Sequence, residues 1–533
     1  MNPQDNRPQY ILAIDLGTSG CKTALVSTTG AVLGFEFQEV PLYLFPGGGA
    51  EQDPDHWWEA VLTTSRKLLD RGLVPAAGDV IAVNCTTQWS GTVAVDKEGR
   101  HLMNAVIWMD SRGAPHIREI TGGPIRVAGY APQKLLRWIR LTGGAPTHSG
   151  KDSLAHILFI KNERPEVYKN TYKFLEPKDY LNLRFTGIFA SSYEAITLHW
   201  LTDNRDISRV RYDERLIRMS TVDPDKLPGL WPVASILGPI RKEVAAQLGL
   251  PADIPVVTGT PDMHSAAAGA GAVGDYEGHL YIGTSSWITC HVPFKKTDLV
   301  HNMATLPAGI PNRYFVADEQ ETAGACLTFL RDNVLYHKDE LLREEKLPNV
   351  YKIFDRIAAG VPAGSRRVIF TPWLYGERTP VDDHTLRAGL HNISLGTTRE
   401  DLIRAFLEGV AYNCRWVLQY VEKFIGRPME TLNIIGGGAN SALWCQIFAD
   451  VLNRRIRQVR DPIQANLRGA ALLAAVALGR LRLEDIPKCT EIAAVFDPDP
   501  KNRAIYDELF GEFLNIYKKN RGIYRRLNRP GGQ

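Results

Sequence analysis

The stretch YILAIDLGTSGCKTALVS, residues 10–27, decides the fold. Tyr10 to Gly17 is a nearly unbroken apolar run carrying one carboxylate, Asp15, close to its end. Thr18, Ser19 and Gly20 make a short turn, and Cys21 to Ser27 runs apolar again, so the stretch reads as a hairpin. AVLGFEFQEV (31–40) adds a third strand across another tight turn. Beyond the glycine-rich PGGGA (46–50), Asp53 can cap a helix and Pro54 suits its first turn. Trp57, Val61, Leu62, Ser65 and Leu68 then recur at helical spacing. DVIAVNC (79–85) returns as a continuous apolar strand of the buried, parallel kind. The expected start is a three-strand meander followed by a βαβ crossover, which makes this an α/β chain.

The second half repeats that opening. LYIGTSSWITCHV (280–292) is again strand, Gly-Thr-Ser turn, strand. The turns Gly17-Thr18-Ser19-Gly20 and Gly283-Thr284-Ser285-Ser286 lie about half a chain apart, as two copies of one ancestral unit would place them. Ahead of the second turn, IPVVTG (254–259) is a short buried-type strand, and PDMHSAAAGAGAVG (261–274) opens a helix whose small residues let it lie close to a neighbour. Residues 112–250 are expected to be mostly helical. Further on, Thr398 and Asp401 form a capping box for a long helix. LNIIGGGA (432–439) is a strand with its turn, SALWCQIFADVLN (441–453) a helix, RIRQVR (455–460) a strand, and ANLRGAALLAAVALG (465–479) a second small-residue helix. A basic amphipathic helix with a solvated face closes the chain.

Composition sets limits. With 533 residues, 44% apolar and 23% charged, the chain can bury several cores. Sixty-two Lys and Arg against 59 Asp and Glu leave a net charge of +3, which argues against nucleic-acid binding driven by overall charge. The seven cysteines are scattered, without a CxxC pair, which argues against a disulfide framework or a zinc knuckle and for a reducing compartment. MNPQDNRPQY lacks the cationic and apolar pattern of a secretory signal, and the most apolar run, 469–479, is too short to span a bilayer. A cytoplasmic protein without a membrane partner is expected. Oligomeric state is not legible, and a homodimer stays open.

Several residues could carry chemistry. Asp15, Gly17, Thr18 and Ser19, with Lys22 in the following strand, offer backbone N–H groups in a nest, a hydroxyl, and a carboxylate able to hold hydrated Mg²⁺. The same composition also closes ordinary hairpins. Gly283, Thr284 and Ser285 supply a second such nest, and two facing turns could grip the terminal phosphates of a nucleotide. Gly436, Gly437, Gly438, Ala439 and Asn440 let the backbone approach a flat ligand or a phosphate, with neither GxGxxG nor Walker spacing. Asp262, after a strand and at a helix start, is the candidate base; the helix dipole favours its ionised form, and an N-cap is its alternative role. Gln88, Trp89 and Ser90 end a buried strand, where open α/β sheets place ligands. Trp108, Asp110 and Arg112 mix a flat apolar face with an acceptor and a donor, suiting a sugar. His264 reads as a packing histidine.

Taken in order, these motifs resemble the FGGY family of carbohydrate kinases, most of all its xylulokinase branch, over about residues 11–481. IDLGTSGCKTAL is similar to the family's first phosphate loop, IWMDSRG to its Trp-x-Asp-x-Arg segment, and FLEPKDYLNLRFTG to the segment ending in Thr-Gly. GTPDMHSAAAGAGAV resembles the block with the catalytic Asp, GTSSWI the second phosphate loop, TPWLYGERTPVDD the Gly-Glu-Arg-x-Pro block, and IIGGGANSALWCQIFADVL the adenosine site. The resemblance implies two actin-like, ribonuclease H-like domains with mixed sheets flanked by helices, closing a cleft around ATP, Mg²⁺ and a small-molecule sugar. Asp262 would be the base, Asp15 would organise the metal, Thr18 and Thr284 would flank the phosphates, and Gly437, Gly438 and Asn440 would line the adenosine pocket. Domains are expected over 1–258 (sugar side and first phosphate turn) and 259–485 (nucleotide side), with a helical tail over 486–533.

Three departures stand out. Trp89-Ser90 replaces the Met-His pair usual in xylulokinases; His156 and Phe159 stand where the family has Lys and Trp; and KLLRWIRLTGGAPTHSG (134–150) is an added segment. The expected activity is ATP-dependent phosphorylation of a terminal hydroxyl of an open-chain sugar, a ketopentose first, with another ketose, a deoxy sugar or a polyol as alternatives. From a different class, an ATP-switched assembly protein could use the same scaffold. That rival would lack a carboxylate on the acceptor side, where this sequence has Asp262.

Overall fold

The computed structural model describes residues 7–335 and 349–528. The first six residues, part of the leader argument, and the last five of the expected tail lie outside the described residues.

The opening stretch folds as read. Tyr10–Gly17 and Gly20–Ser27 pair antiparallel in register from Tyr10↔Ser27 to Gly17↔Gly20, and Val32–Glu39 joins the other edge of Gly20–Ser27. Val80–Thr87 lies parallel to the first strand, Pro255–Pro261 parallel to that, and Ile236–Pro239 closes a six-stranded mixed sheet. The helix Pro54–Asp70 starts at Asp53, whose side chain accepts from the Asp55 N–H, and buries Trp57, Trp58, Val61 and Leu68 against this sheet.

The second half reproduces that order. Gly278–Ile282, Ser286–Val292 and Tyr314–Gln320 form the meander, Thr431–Ile435 and Arg455–Val459 add parallel strands, and Ile492–Phe496 closes antiparallel. Two short strands beyond Tyr314–Gln320 bring this sheet to eight. Shared strand order across both sheets carries the duplication that two four-residue turns only hinted at. The 27-residue helix Arg399–Ile425, opened by the expected Thr398–Asp401 box, is the counterpart of Pro54–Asp70.

Each small-residue helix crosses to the opposite sheet. Asp262–Gly269 follows a strand of the first sheet yet packs Ala266 and Ala270 with Trp287, Ile435 and Val459 of the second. Ala465–Ala477 leaves the second sheet and covers Ile11, Ala13, Ala24 and Ala82 of the first. Where the helices cross, a Cβ on Gly269 would lie 1.8 Å from the Ala465 carbonyl oxygen, and one on Gly469 1.8 Å from that of Ser265. Glycine at both positions permits backbone contact.

Expected boundaries shift accordingly. Position 258 falls inside the strand Pro255–Pro261, so the chain leaves the first sheet only at Pro261. The 486–533 region is no separate tail: Ile492–Phe496 belongs to the second sheet, and Tyr506, Leu509, Phe510 and Phe513 of the helix Arg503–Leu527 are buried in the second core beside Trp373 and Trp416. The region expected to be mostly helical holds to that through Pro177–Thr186. It then breaks into short strands such as Ala190–Ser192 and Gly229–Trp231, because Gly, Pro, Asp and Asn interrupt it too often for helical turns to propagate. The added segment spans the two halves: Lys295 Nζ donates to the Ile139 carbonyl at 2.6 Å, and Trp138 Nε1 to the Trp200 carbonyl at 3.1 Å. Among the described residues no helix is long and apolar enough to cross a membrane.

Gly469→Ala should cost about 1–3 kcal/mol or more, since its methyl can be housed only by separating two backbones. Gly511→Ala, on an open face of Arg503–Leu527 with nothing within 4 Å, should be neutral or stabilising by about 0.5–1 kcal/mol. Urea denaturation of both variants measures the contrast, and equal effects would refute the close crossing.

Candidate active site

Asp15, at the end of the first strand, is only 4% exposed, with Lys22 Nζ 3.6 Å away on the paired strand. In the turn, the Thr18 and Ser19 amides have no backbone partner. Side chains brace the turn from behind. Trp108 Nε1 donates to Thr18 Oγ1 at 2.9 Å, Thr18 Oγ1 donates to Gln88 Oε1 at 3.2 Å, Gln88 Nε2 donates to Gln52 Oε1 at 2.7 Å, and Gln52 Nε2 donates to the Thr18 carbonyl at 2.8 Å. Gln88 and Trp108, expected to face sugar, thus spend these groups holding the first Gly-Thr-Ser turn.

The second turn is anchored differently. The Gly324 N–H donates to the Gly283 carbonyl at 2.8 Å and the Ala323 N–H to that of Thr284 at 2.8 Å. With its carbonyls tethered, the turn leaves the Thr284 and Ser285 amides without backbone partners and Thr284 exposed. The third turn divides its residues between packing and surface. A Cβ on Gly436 would lie 2.5 Å from the Ile282 carbonyl oxygen, and one on Gly438 2.3 Å from Ile282 Cγ2. These two glycines let the turn press on the strand leading to Gly283. Ala439 is buried, a correction to its expected place in a ligand wall, and its carbonyl accepts from Gln458 Nε2 at 2.5 Å. Gly437 and Asn440 are the exposed members.

Asp262 is delivered by a bulged strand. The register between Pro255–Pro261 and Val80–Thr87 shifts between Val257 and Thr260. Gly259 sits there at φ +67°, where a Cβ would meet the Cys85 carbonyl oxygen at 2.0 Å. Such a bulge re-aims the strand end. Lys178 Nζ and Asn182 Nδ2 of the helix Pro177–Thr186 pin the Thr258 carbonyl at 2.9 and 2.8 Å, giving two residues of the FLEPKDYLNLRFTG segment a purpose. Asp262 opens its helix after Pro261, so it is the first helical residue rather than the cap, and its Oδ1 accepts from the Met263 N–H at 2.8 Å. Burial, then the nearby Asp15 charge, push its pKa up to about 8, and Glu319 adds to the push. The dipole-favoured, ionised carboxylate expected from sequence is therefore corrected: desolvation and like charge outweigh a short helix's N-terminus.

Other sugar-side candidates have structural partners. Trp89 is partly exposed; its Nε1 donates to the Ala195 carbonyl at 3.0 Å, and its ring meets His264 edge-on at 5.4 Å. Ser90 is buried and donates to the Lys151 carbonyl at 2.7 Å. Asp110 has no exposed surface; its Oδ2 accepts from the Ala50 N–H at 2.8 Å and from Arg112 Nε at 2.9 Å. Arg112 also pairs with Glu51 at 2.5 Å and lies 4.2 Å over Phe159. The pair braces the strand Gly49–Gln52, which carries Gln52 to the first turn. A cavity of about 950 Å³ lined by Phe45, Arg112, His116 and Phe159 includes none of Asp15, Gln88 or Asp262. His264 is a packing residue, as read: burial lowers its pKa to about 3, and its Nδ1 accepts from the Gly309 N–H at 3.1 Å.

Sequence reading missed a second set of groups. Lys151 of the first half lies 3.8 Å from Glu321 of the second, and Arg378 pairs with both Glu319 and Glu321. This network bridges the halves beside the loop that follows Gln88. Its only sequence signal was the Gly-Glu-Arg-x-Pro block, to which no role was attached; Gln52 had none. Asp53, Asp55 and His101 bring ligand atoms within 4.8 Å of one another, but they share no residue with this cleft, and Arg184 pairs with Asp55 at 3.2 Å. Asp15 and Asp262, by contrast, repel each other in the cleft, and a hydrated divalent cation fits that excess of negative charge.

Known proteins share this fold. The profile for the N-terminal domain of the FGGY family of carbohydrate kinases matches residues 10–269, and that for the C-terminal domain matches 279–478. A xylulose kinase of Bacillus subtilis is 27% identical over 531 residues, covering 97% of this chain and 99% of its own. A gluconokinase of the same organism is 26% identical over 473 residues, covering 89% and 88%. The crystal structure of a gluconate kinase from Lactobacillus acidophilus matches with a TM-score of 0.85 at 23% identity, over 98% of this chain and all of that one. The fold is thus two ribonuclease H-like, actin-like α/β domains with mixed sheets.

The Asp262 shift has a thermodynamic consequence. In the nucleotide-free protein the native state keeps a proton that the unfolded chain, with an ordinary carboxyl near 4, gives up, so stability falls as pH rises from about 4 to about 8 and then levels. Asp262→Asn lacks this dependence. Its Tm should exceed the wild-type value by a margin that widens from about pH 5 to about pH 8; a margin constant with pH would show that Asp262 titrates normally.

Proposed function

The chain belongs to the FGGY family of carbohydrate kinases, and from that premise we propose that it moves the terminal phosphoryl group of ATP to a terminal hydroxyl of an open-chain ketose, a pentulose such as xylulose first. It is an enzyme, a phosphotransferase with an alcohol as acceptor, and its fold is that of nucleotide-using kinases. The rival role as a switch without an acceptor loses its ground.

One observation carries the mechanism: a carboxylate with raised proton affinity, accepting from the Met263 amide, stands where the ends of two pseudo-equivalent halves meet. Asp262 takes the proton of the sugar hydroxyl as the sugar oxygen bonds to phosphorus and the bond to the ADP oxygen breaks. A base with a pKa near the working pH is effective in that role. The free amides of Thr18, Ser19, Thr284 and Ser285 point fixed dipoles at the charge spread over the phosphoryl oxygens. Gly437 and Asn440 receive the adenosine side. Asp15, through water, is the residue to hold Mg²⁺, whose contribution when bound is to neutralise phosphate charge. The network of Lys151, Glu319, Glu321 and Arg378 draws the halves together and keeps water from competing with the sugar.

On the sugar side, Trp89 and Ser90 spend their polar groups inside the protein. Trp89 therefore offers the substrate an apolar wall, which supports a ketose, deoxy sugar or polyol that buries a carbon face there over one requiring a hydrogen bond at this point.

Asp262→Asn should lower turnover by about 10²–10⁴-fold with ADP affinity unchanged. Coupled ADP-release assays across ketopentoses, deoxyketoses, hexuloses and polyols test the acceptor at the same time. Near-normal turnover in the variant would remove Asp262 from the mechanism, and activity on polyols with none on pentuloses would reassign the substrate.

A further inference from the structure

Tyr281 is not among the residues that the motifs single out, yet its side chain lies against both Gly283 of the second turn and Gly436 of the third. It lies on the strand Gly278–Ile282, two residues before the second turn. A Cβ on Gly283 would fall 2.2 Å from the Tyr281 hydroxyl oxygen and 2.4 Å from its ring, and one on Gly436 would fall 3.1 Å from its Cε2. The phenol therefore fills the space that two glycines leave open, one in the phosphate turn and one in the adenosine turn.

Its position is fixed from the other side. Tyr281 and Trp287 are direct cross-strand partners, and their rings stack at 3.8 Å with 9° between planes. Both pack into a cluster with Ala266 and Met263 of the Asp262 helix. Aromatic stacking and cross-strand pairing together leave the ring little freedom.

The hydroxyl is the unused part. Tyr281 is partly exposed, and its O–H makes no hydrogen bond among the described residues, unlike the Thr18, Gln88 and Trp108 groups, which are committed to one another. Burial, and after it the charges of Asp262, Asp15 and Glu319, push its pKa above the usual phenol range, so it stays a neutral donor. Carboxylates cannot donate a hydrogen bond to a phosphoryl oxygen; a phenol can, without adding a positive charge that would lower the proton affinity of Asp262.

We propose that the Tyr281 hydroxyl donates a hydrogen bond to an equatorial oxygen of the phosphoryl group during transfer, completing the set of donors begun by the two turns. This rests on the kinase reading above. The bond is made as charge redistributes between ADP and the acceptor, and Tyr281 itself neither gains nor loses a proton. Trp287 acts behind it as a positioning residue.

Tyr281→Phe in the full chain keeps the ring, the stack and the packing, and removes only the donor. The readouts are kcat and KM for sugar phosphorylation, the slow sugar-independent hydrolysis of ATP, ADP affinity by calorimetry, and Tm. The expected result is a fall of about 10²-fold in kcat and in hydrolysis, the loss usual for one such donor, with ADP affinity, sugar KM and Tm close to wild type. A kcat and a hydrolysis rate within about twofold of wild type would overturn the proposal, as would a loss confined to ADP affinity, since that would make the phenol a binding contact only. If no sugar is phosphorylated by the wild type but Tyr281→Phe still slows hydrolysis, the sugar reading fails and the phenol's role stands.

Discussion

Two helices of small residues, Asp262–Gly269 and Ala465–Ala477, touch backbone to backbone, and everything about the cleft follows from that contact. Positions 265 and 269 on one meet 469 and 465 on the other, reciprocally. A helical glycine costs about 0.5–1 kcal/mol relative to alanine, and here two are kept because a methyl would fall within bonding distance of a carbonyl oxygen. Each helix rests on the sheet that it did not come from, so neither half can settle without the other. The same crossing places the N-terminus of the first helix, and with it Asp262, between the sheets.

Around Asp262 the protein gathers negative charge and withholds relief. Asp15 and Glu319 both raise the proton affinity of Asp262, while Lys22 is paired with Asp15 and Arg378 with Glu319. Such repulsion lowers native stability and raises proton affinity at the position that the proposed mechanism assigns to the base. The phosphates of a nucleotide bring still more negative charge into this space. On the proposed mechanism, backbone amides with unused hydrogens, a metal at Asp15 and a neutral phenol would form a coherent set of partners: all stabilise anionic oxygen, and none requires a positively charged side chain beside Asp262.

Much of the sugar side serves rigidity. Gln52, Gln88 and Thr18 form a closed ring of hydrogen bonds into which Trp108 donates, and Asp110 with Arg112 holds the strand that delivers Gln52. These are buried or partly buried polar groups satisfied internally, and satisfying them locks the first Gly-Thr-Ser turn. Their residue types look like those of a sugar pocket because the same acceptors and donors serve either purpose.

Both hairpin turns, the strand-to-helix step at Asp262, the capping box at Thr398 and the small-residue helices were legible in the chain, because each depends on neighbours within a few residues. The sequence by itself determined the α/β class, the repeat and the carboxylate at the strand end. Tertiary structure alone decided that Gly436 and Gly438 serve packing while Gly437 and Asn440 face outward, that Ile492–Phe496 completes a sheet, that Asp262 holds its proton tightly, and that Tyr281 sits between two turns some 150 residues apart in the chain. Those outcomes depend on desolvation, on charges and on vacant volumes contributed by residues distant in sequence, quantities that no local pattern encodes.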